Sequence, residues 1–361
     1  MSEGFEGASA GLDTGGGAGR QDAVGHPAPA ISTGATLDPG TNGPAAPRKL
    51  VVVIGGPTAS GKSRLALDLA VRLGGTVINA DSMQIYQGLA LLTAQPGAED
   101  LAQAPHRLYG TVPPALRMSA AHWRDLALAE VRAAERPILV GGTGLYLRTL
   151  MAGIADIPAI EDSVREQAKA LHAKLGGPAF HQDLAVRDPE AAARLSPGDT
   201  QRLVRAWEVV VGTGRTLGDW QRAAAATAPA DLAFHALVVD PPRERLYANG
   251  DARFLAMMER GALEEVRALL ALGLDPDLPA MKALGVPELA AHLAGTLDQA
   301  AAVALAQRHT RNYAKRQTTW FRHQMPDARR VDPGFSQTHT GYEKLIESLL
   351  GEIFAIIRKS G

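Results

Sequence analysis

The chain has 361 residues, with 37 Lys and Arg against 38 Asp and Glu, no cysteine, and a formal net charge of −1. At about 150 residues per domain, this length can bury a sizeable core and leads to an expectation of two domains. The absence of cysteine excludes a disulfide framework, a Cys-ligated zinc or iron–sulfur site and a thiol nucleophile. No run approaches about 18 apolar residues, so no spanning helix is expected.

In chain order, residues 1–47 hold 11 Gly and 5 Pro with no apolar periodicity. Such a composition cannot offset the entropy of ordering, and the segment reads as a disordered extension. It shows neither the basic start and compact apolar run of a secretory signal nor the Arg-rich, acid-poor character of a transit peptide. A cytoplasmic protein is therefore expected. With one Arg and five acids the extension carries −4, leaving +3 for residues 48–361. The near-neutral total thus conceals a mildly basic remainder.

Order is expected from Lys49. Leu50-Val-Val-Val-Ile54 has the continuous β-branched pattern of a strand buried on both faces of a parallel sheet. A Gly-rich turn leads to a helix over 63–73, marked by Leu65, Leu69 and Leu73. Further strands are expected at 76–79, 137–140 and 234–239, with a helix over 120–135. The alternation predicts an α/β fold with a doubly wound parallel sheet. Between the third and fourth strands the chain reads as helices only, over 162–175, 178–186, 189–194 and 199–212. The expected layout is a core of 48–158 and 233–361 with an all-helical insertion at 159–232. Beyond Arg243, helices are expected over 252–272, 286–294, 298–324 and 341–358, with a short strand at 329–331.

Gly56-Pro-Thr-Ala-Ser-Gly61-Lys62-Ser63 fits G-x-x-x-x-G-K-[ST] between a strand and a helix, the P-loop context. Its glycines let backbone N–H groups converge on phosphate oxygens at a helix N-terminus. Lys62 supplies a point charge, and the Ser63 hydroxyl can ligate Mg²⁺. The usual metal-binding Asp at the end of a neighbouring strand is missing. The third strand runs instead into Gly141-Gly142-Thr143-Gly144-Leu145-Tyr146, which offers N–H and O–H donors to a phosphate. A donor that releases pyrophosphate suits this site better than a nucleotide to be hydrolysed. The second strand does end in an acid, Asp81. It can accept a proton from a substrate or cap the following turn, and its position alone leaves both open.

Seven segments occur in order: Gly56-Pro-Thr-Ala-Ser-Gly-Lys-Ser63, Asp81-Ser-Met-Gln-Ile-Tyr86, Thr93-Ala-Gln-Pro96, Pro105-His-Arg-Leu108, Gly141-Gly-Thr-Gly-Leu-Tyr146, Gln201-Arg-Leu-Val-Arg205 and Lys315-Arg-Gln-Thr-Thr-Trp320-Phe-Arg322. Together they resemble the tRNA dimethylallyltransferase (tRNA isopentenyltransferase) family over essentially all of residues 49–358. The resemblance implies a P-loop core with a helical insertion that grips the anticodon stem-loop. It implies transfer of a dimethylallyl group from dimethylallyl diphosphate to N6 of the adenosine 3′ of the anticodon, in tRNAs reading codons that begin with U. Diphosphate leaves with the help of Mg²⁺, and the enzyme is expected as a monomer.

Carried over by residue, the resemblance makes Asp81 the general base at N6, with Thr143 and Arg253 orienting the diphosphate. Gly56, Pro57, Thr58, Ala59, Ser60, Gly61, Lys62 and Ser63 form the diphosphate cradle, Ser63 also serving the metal. Asp81, Ser82, Met83, Gln84, Thr143, Arg165, Gln201, Arg202, Leu203, Val204, Arg205, Lys315, Arg316, Gln317 and Arg322 match tRNA-contacting positions. Residues 93–96 shape the pocket for the flipped base. Three departures stand out: Asn249-Gly250 where many members have Arg-Ile, Val286-Pro287 after Gly285, and Gln95 where many have Lys.

The charges support an RNA partner independently. Residues 308–330 carry seven Lys and Arg against one acid, Asp327. On a helix Arg308, Arg311, Lys315 and Arg322 fall within about 60° of one another, with Tyr313, Trp320 and Phe321 opposite. Alone this pattern also fits an ordinary solvated face; beside a phosphate loop and an Arg-bearing insertion it favours phosphates. His309 and His323 lack companions at ligand spacing and read as polar-face residues. The competing readings are an adenylate isopentenyltransferase acting on a free nucleotide, a P-loop small-molecule kinase, and a non-catalytic RNA-binding nucleotide sensor.

Overall fold

The computed structural model describes residues 48–223, 227–334 and 339–360; the extension expected over 1–47 lies outside them. Strands β1 (Lys49–Gly55), β2 (Thr76–Asn79), β3 (His106–Arg107), β4 (Pro137–Gly141), β5 (Leu232–Val239) and β6 (Arg329–Val331) form one sheet in the order β3-β2-β4-β1-β5-β6. Every adjacent pair is parallel. Val53 stands opposite Leu139 on one side and Ala236 on the other, which makes β1 central. Its apolar run follows from that place, because both faces of a central parallel strand are covered.

Helices α1 (Lys62–Leu73), α2 (Ala98–Gln103), α3 (Ala120–Ala133) and α4 (Gly144–Ala152) precede the insertion. The insertion holds α5 (Asp162–Arg187), α6 (Pro189–Arg194), α7 (Thr200–Thr213) and α8 (Leu217–Ala223). After β5 come α9 (Arg243–Glu259), α10 (Ala262–Leu270), α11 (Val286–Leu293), α12 (Gln299–Gln324) and α13 (His339–Ser360). One face of the sheet packs on α1 and α13 through Leu65, Leu69, Ile346 and Leu349. The other packs on α3, α4 and α9 to α12 through Trp123, Leu147, Phe254 and Phe321. Helices α5 to α8 enclose a smaller apolar cluster of their own, centred on Phe180, Leu203 and Trp207. Each fully buried side chain of this size contributes about 1.5–3 kcal/mol.

The expected strands are all present, and the two helices expected over 162–186 meet at a kink where Gly176 has φ 74°. The single helix expected over 252–272 is instead two, because Gly261 adopts φ 98° and starts α10 afresh. Helices α2, α4 and α8 and strand β3 come in addition to the elements that the spacing predicts. The two residues of β3 show no period, and α4 begins inside the Gly-rich run at 141–146.

Candidate active site

Four neighbouring strands, β2, β4, β1 and β5, each deliver one component at their C-terminal ends, where ligands of parallel sheets bind. The phosphate loop follows β1, Asp81 follows β2, Thr143 follows β4, and β5 leads into α9, which carries Arg253.

Asp81 is held by its own backbone and by Asn79. The fully buried Asn79 accepts the Asp81 N–H at 2.7 Å and donates to the carbonyls of Asp81 at 3.0 Å and Leu108 at 2.9 Å. Trp123 donates to the Asn79 carbonyl at 3.1 Å. One carboxylate oxygen, Oδ1, accepts the Met83 N–H at 2.9 Å, so the side chain serves the following turn. The Asp81 charge reaches Lys62, Arg253, Tyr109, Tyr146 and Tyr313, which places it at the electrostatic centre of the site. Thr143 accepts the Ser82 N–H at 2.9 Å and donates to Ser82 Oγ at 3.2 Å, with Tyr313 beside it.

In the phosphate loop, burial pushes the Lys62 ammonium down to about 8, with Asp81 holding it up and Arg253 pushing it further down. Lys62 donates to the Pro57 carbonyl at 3.3 Å. Ser60 Oγ is buried with no hydrogen-bond partner among the described residues. A buried donor left unpaired is costly, and an anion in the loop would satisfy it. Ala59, at φ 64°, holds a left-handed turn in which a side chain is strained. Arg253, itself lowered by burial, donates to Thr58 Oγ1 at 2.5 Å.

Thr58, Asp81 and Arg253 line a cleft partly open to solvent, together with the apolar side chains of Met83, Leu92, Phe254, Met257 and Leu284. Gly250 and Thr93 also border it. The Gly250 departure thus leaves its wall without a large side chain. Glu265 accepts the Leu91 and Leu92 N–H groups at 2.8 and 2.9 Å and fixes that wall. Gln84 donates to the carbonyls of Thr93 and Ala94, which holds the 93–96 loop in place. Among the described residues no cluster of three His, Cys, Asp or Glu could hold a metal. The oxygen donors a Mg²⁺ ion needs can come from the exposed Ser63 hydroxyl, a diphosphate and water, a set that fits this hard cation.

Several expected positions prove to be structural. The glycines after β4 are seats for α12 as well as a turn. An ideal Cβ on Gly144 would lie 2.3 Å from the Trp320 ring, and one on Gly142 would lie 2.2 Å from Gln317 Nε2. The Thr143 N–H, expected as a phosphate donor, is spent on the Ala80 carbonyl at 3.3 Å. The Thr58 N–H likewise donates to Gln317, so that donor of the cradle is taken. Gln317 is buried with both ends of its amide bonded inside the protein, which occupies the groups an RNA contact would use. Leu203 is fully buried in the insertion cluster, where its periodic position puts it, so its side chain cannot meet RNA either. Val204 packs against the same cluster.

The basic stretch is divided. Arg311 forms a two-pronged pair with Asp251 at 2.7 Å, Arg329 pairs with Glu352, and Arg330 lies 3.8 Å from Asp240. Arg308, Lys315, Arg316 and Arg322 remain exposed. His309 contacts the buried Glu288, a polar-face role as expected. On the insertion Gln201 and Arg202 are exposed, and Arg165, Arg202 and Arg205 each pair with an acid three residues away. Asn79, Tyr313 and Glu265 carry the site without a sequence signal of their own, since each acts on residues distant in the chain or by a backbone bond.

The family model for IPP transferase matches residues 84–324, and the model for isopentenyl transferase matches residues 49–113. The chain is 65% identical over 288 residues to a tRNA dimethylallyltransferase of Rhodospirillum centenum, covering 79% of this chain and 92% of that one. It is 53% identical to the protein of that name from Paramagnetospirillum magneticum, covering 85% and 96%. Among solved structures it is similar to a full-length tRNA isopentenylpyrophosphate transferase of Bacillus halodurans, with TM-score 0.61, 30% identity and coverage of 85% and 98%. It is also similar to a eukaryotic dimethylallyltransferase acting on tRNA, with TM-score 0.72, 25% identity and coverage of 85% and 80%. With a phosphate loop, a strand-end acid and relatives of this kind along most of its length, the chain belongs to the tRNA dimethylallyltransferase family of IPP transferases.

Proposed function

We propose that the chain transfers a dimethylallyl group from dimethylallyl diphosphate to N6 of the adenosine 3′ of the anticodon, in tRNAs that read codons beginning with U. The observation that carries this reading is a cleft of two natures, lined by Asp81, Arg253 and Thr58 and also by apolar Met83, Leu92, Phe254 and Met257. A small apolar group esterified to a diphosphate has the same two natures.

An allylic diphosphate ionises once its leaving group is neutralised, so positive charge and donors aimed at that group are the main requirement. Lys62, Arg253 and the partnerless Ser60 hydroxyl supply them. Ser63 would hold Mg²⁺, which when bound neutralises charge on the departing diphosphate. The exocyclic N6 is a poor nucleophile because its lone pair is delocalised into the ring. The Asp81 carboxylate, whose Oδ1 is oriented by the Met83 N–H, takes the N6 proton as the C–N bond forms. Thr143 fixes Ser82 beside it. The adenine must leave its stack to reach Asp81, and the apolar walls keep water from the allylic centre.

The exposed Lys315, Arg316 and Arg322 of α12, with Arg165, Gln201, Arg202 and Arg205 of the insertion, form the face offered to the anticodon stem-loop. We read the insertion at 159–232 as the gripping module, the enzyme as a monomer and its location as the cytoplasm. No helix among the described residues is long and apolar enough to cross a membrane.

The test is incubation with Mg²⁺, dimethylallyl diphosphate and either unmodified tRNA or free AMP, followed by digestion and mass analysis of the nucleosides. A C5H8 gain on tRNA adenosine is expected. A gain on AMP alone would make the chain an adenylate isopentenyltransferase, and no gain on either would end the prenyl-transfer reading.

A further inference from the structure

Gln317 follows Arg316 on α12, in the middle of the segment that presents Lys315, Arg316 and Arg322 to solvent, yet it is only 5% exposed. Its Oε1 accepts the Thr58 N–H at 2.8 Å, and its Nε2 donates to the Gly142 carbonyl at 2.8 Å. These partners are 259 and 175 residues away in the chain. Each bond leads on to a residue of the site. Thr58 carries on its hydroxyl the Arg253 guanidinium, and Gly142 precedes Thr143, whose hydroxyl holds Ser82 beside Asp81.

One amide therefore references two arms of the site to each other, the Arg253 arm through Thr58 and the Thr143 arm through Gly142. The match is chemically narrow. The gap needs an acceptor on one side and a donor on the other, which a carboxamide supplies and a carboxylate or thioether of the same length does not. Space is equally narrow, because a Cβ at position 142 would overlap the amide nitrogen.

We infer that Gln317 is a positioning residue for the transfer: it sets the separation of the phosphate loop and the β4–α4 turn and so aims Arg253 and Thr143 from the buried side of the helix whose other side meets RNA. The inference rests on the prenyl-transfer reading of the site and goes beyond it by giving this helix a role in the diphosphate half of the reaction.

The test uses the full chain, as wild type, Gln317→Met and Gln317→Glu. Binding of inorganic diphosphate with Mg²⁺ is measured by calorimetry, alongside KM for dimethylallyl diphosphate, the Kd of an anticodon stem-loop RNA and the melting temperature. In Gln317→Met the diphosphate Kd and KM should rise about tenfold or more, while the RNA Kd stays within about twofold. Gln317→Glu should show the same loss at neutral pH. Its ratio to wild type should then fall towards one as pH drops from about 8 to about 5.5, because a protonated carboxyl both accepts and donates.

Diphosphate binding is read without turnover, so an inactive wild type would sink the prenyl-transfer reading and still leave the positioning claim decided. If Gln317→Met does not fold, the pH recovery of Gln317→Glu decides. Weakened RNA binding with unchanged diphosphate binding would make Gln317 an RNA contact and overturn the inference. So would no change in either, or an equal loss in both with a ratio that does not move with pH.

Discussion

In the α/β core, polar side chains near the phosphate loop reach across the chain. Gln317 joins Thr58 to Gly142, Arg253 bonds Thr58, and Asn79 bonds Leu108. In the insertion, three arginines pair with acids three residues away: Arg165 with Asp162, Arg202 with Asp199 and Arg205 with Glu208. The first kind is shielded from water, and breaking it strands a partner at a cost of about 1–3 kcal/mol. The second kind is more open to water, Glu208 excepted, and its exposed pairs are worth about 0–1 kcal/mol. Its arginines can therefore exchange an acid for a phosphate with little loss. The core is built to hold one geometry, and the proposed role of the insertion asks it to give up local pairs for tRNA.

Substitutions on the two sides should separate accordingly. The largest effect is expected at Asp81: Asp81→Asn should lower kcat about 10²–10⁴-fold with stem-loop affinity kept within a few-fold. Single-turnover rates and filter binding check this, and equal losses in both would make Asp81 chiefly a binding residue. Next is Arg253→Ala, which removes a charged donor held by Thr58. It should raise KM for dimethylallyl diphosphate about 10- to 100-fold, since a hydrogen bond to a charged group is worth about 1.5–3 kcal/mol.

A pH series on the free protein tests the loop itself. Lys62 is lowered to about 8 mainly by burial, and its ammonium is the form that attracts diphosphate. Affinity should be full below about 8 and then weaken up to about tenfold per unit as pH rises, because binding favours the protonated lysine and burial in the empty site the neutral one. Calorimetry across that range checks the sign, and an affinity flat through it would remove Lys62 from the cradle. The smallest effect is expected in the insertion. Arg202→Ala should weaken stem-loop binding a few-fold, reduce the salt slope by about one and leave kcat alone. A fall in kcat there would mean that the insertion shapes the chemistry and not only the grip.

Read as a sequence, the chain by itself determined the β1–phosphate loop–α1 unit, the strand ending near Asp81, the run of helices after α4 and the family. These depend on short-range order. A β-branched run, a Gly-rich turn before Lys62 and Leu repeats at helical spacing each bias their own segment wherever they stand. Periodicity also separated the two sides of α12 correctly, placing Phe321 inside and Lys315 and Arg322 outside. It could not say what either side would meet. Tertiary structure alone decided that Arg311 is taken by Asp251, that Leu203 is sealed under Phe180 and Trp207, and that Gln317 bonds the phosphate loop. It also decided that Gly142 and Gly144 make room for a helix whose Gln317 lies 175 residues after Gly142. A face is a property of one segment and is written in its spacing. A partner is a property of two segments brought together by the sheet, and the spacing within either one does not contain it.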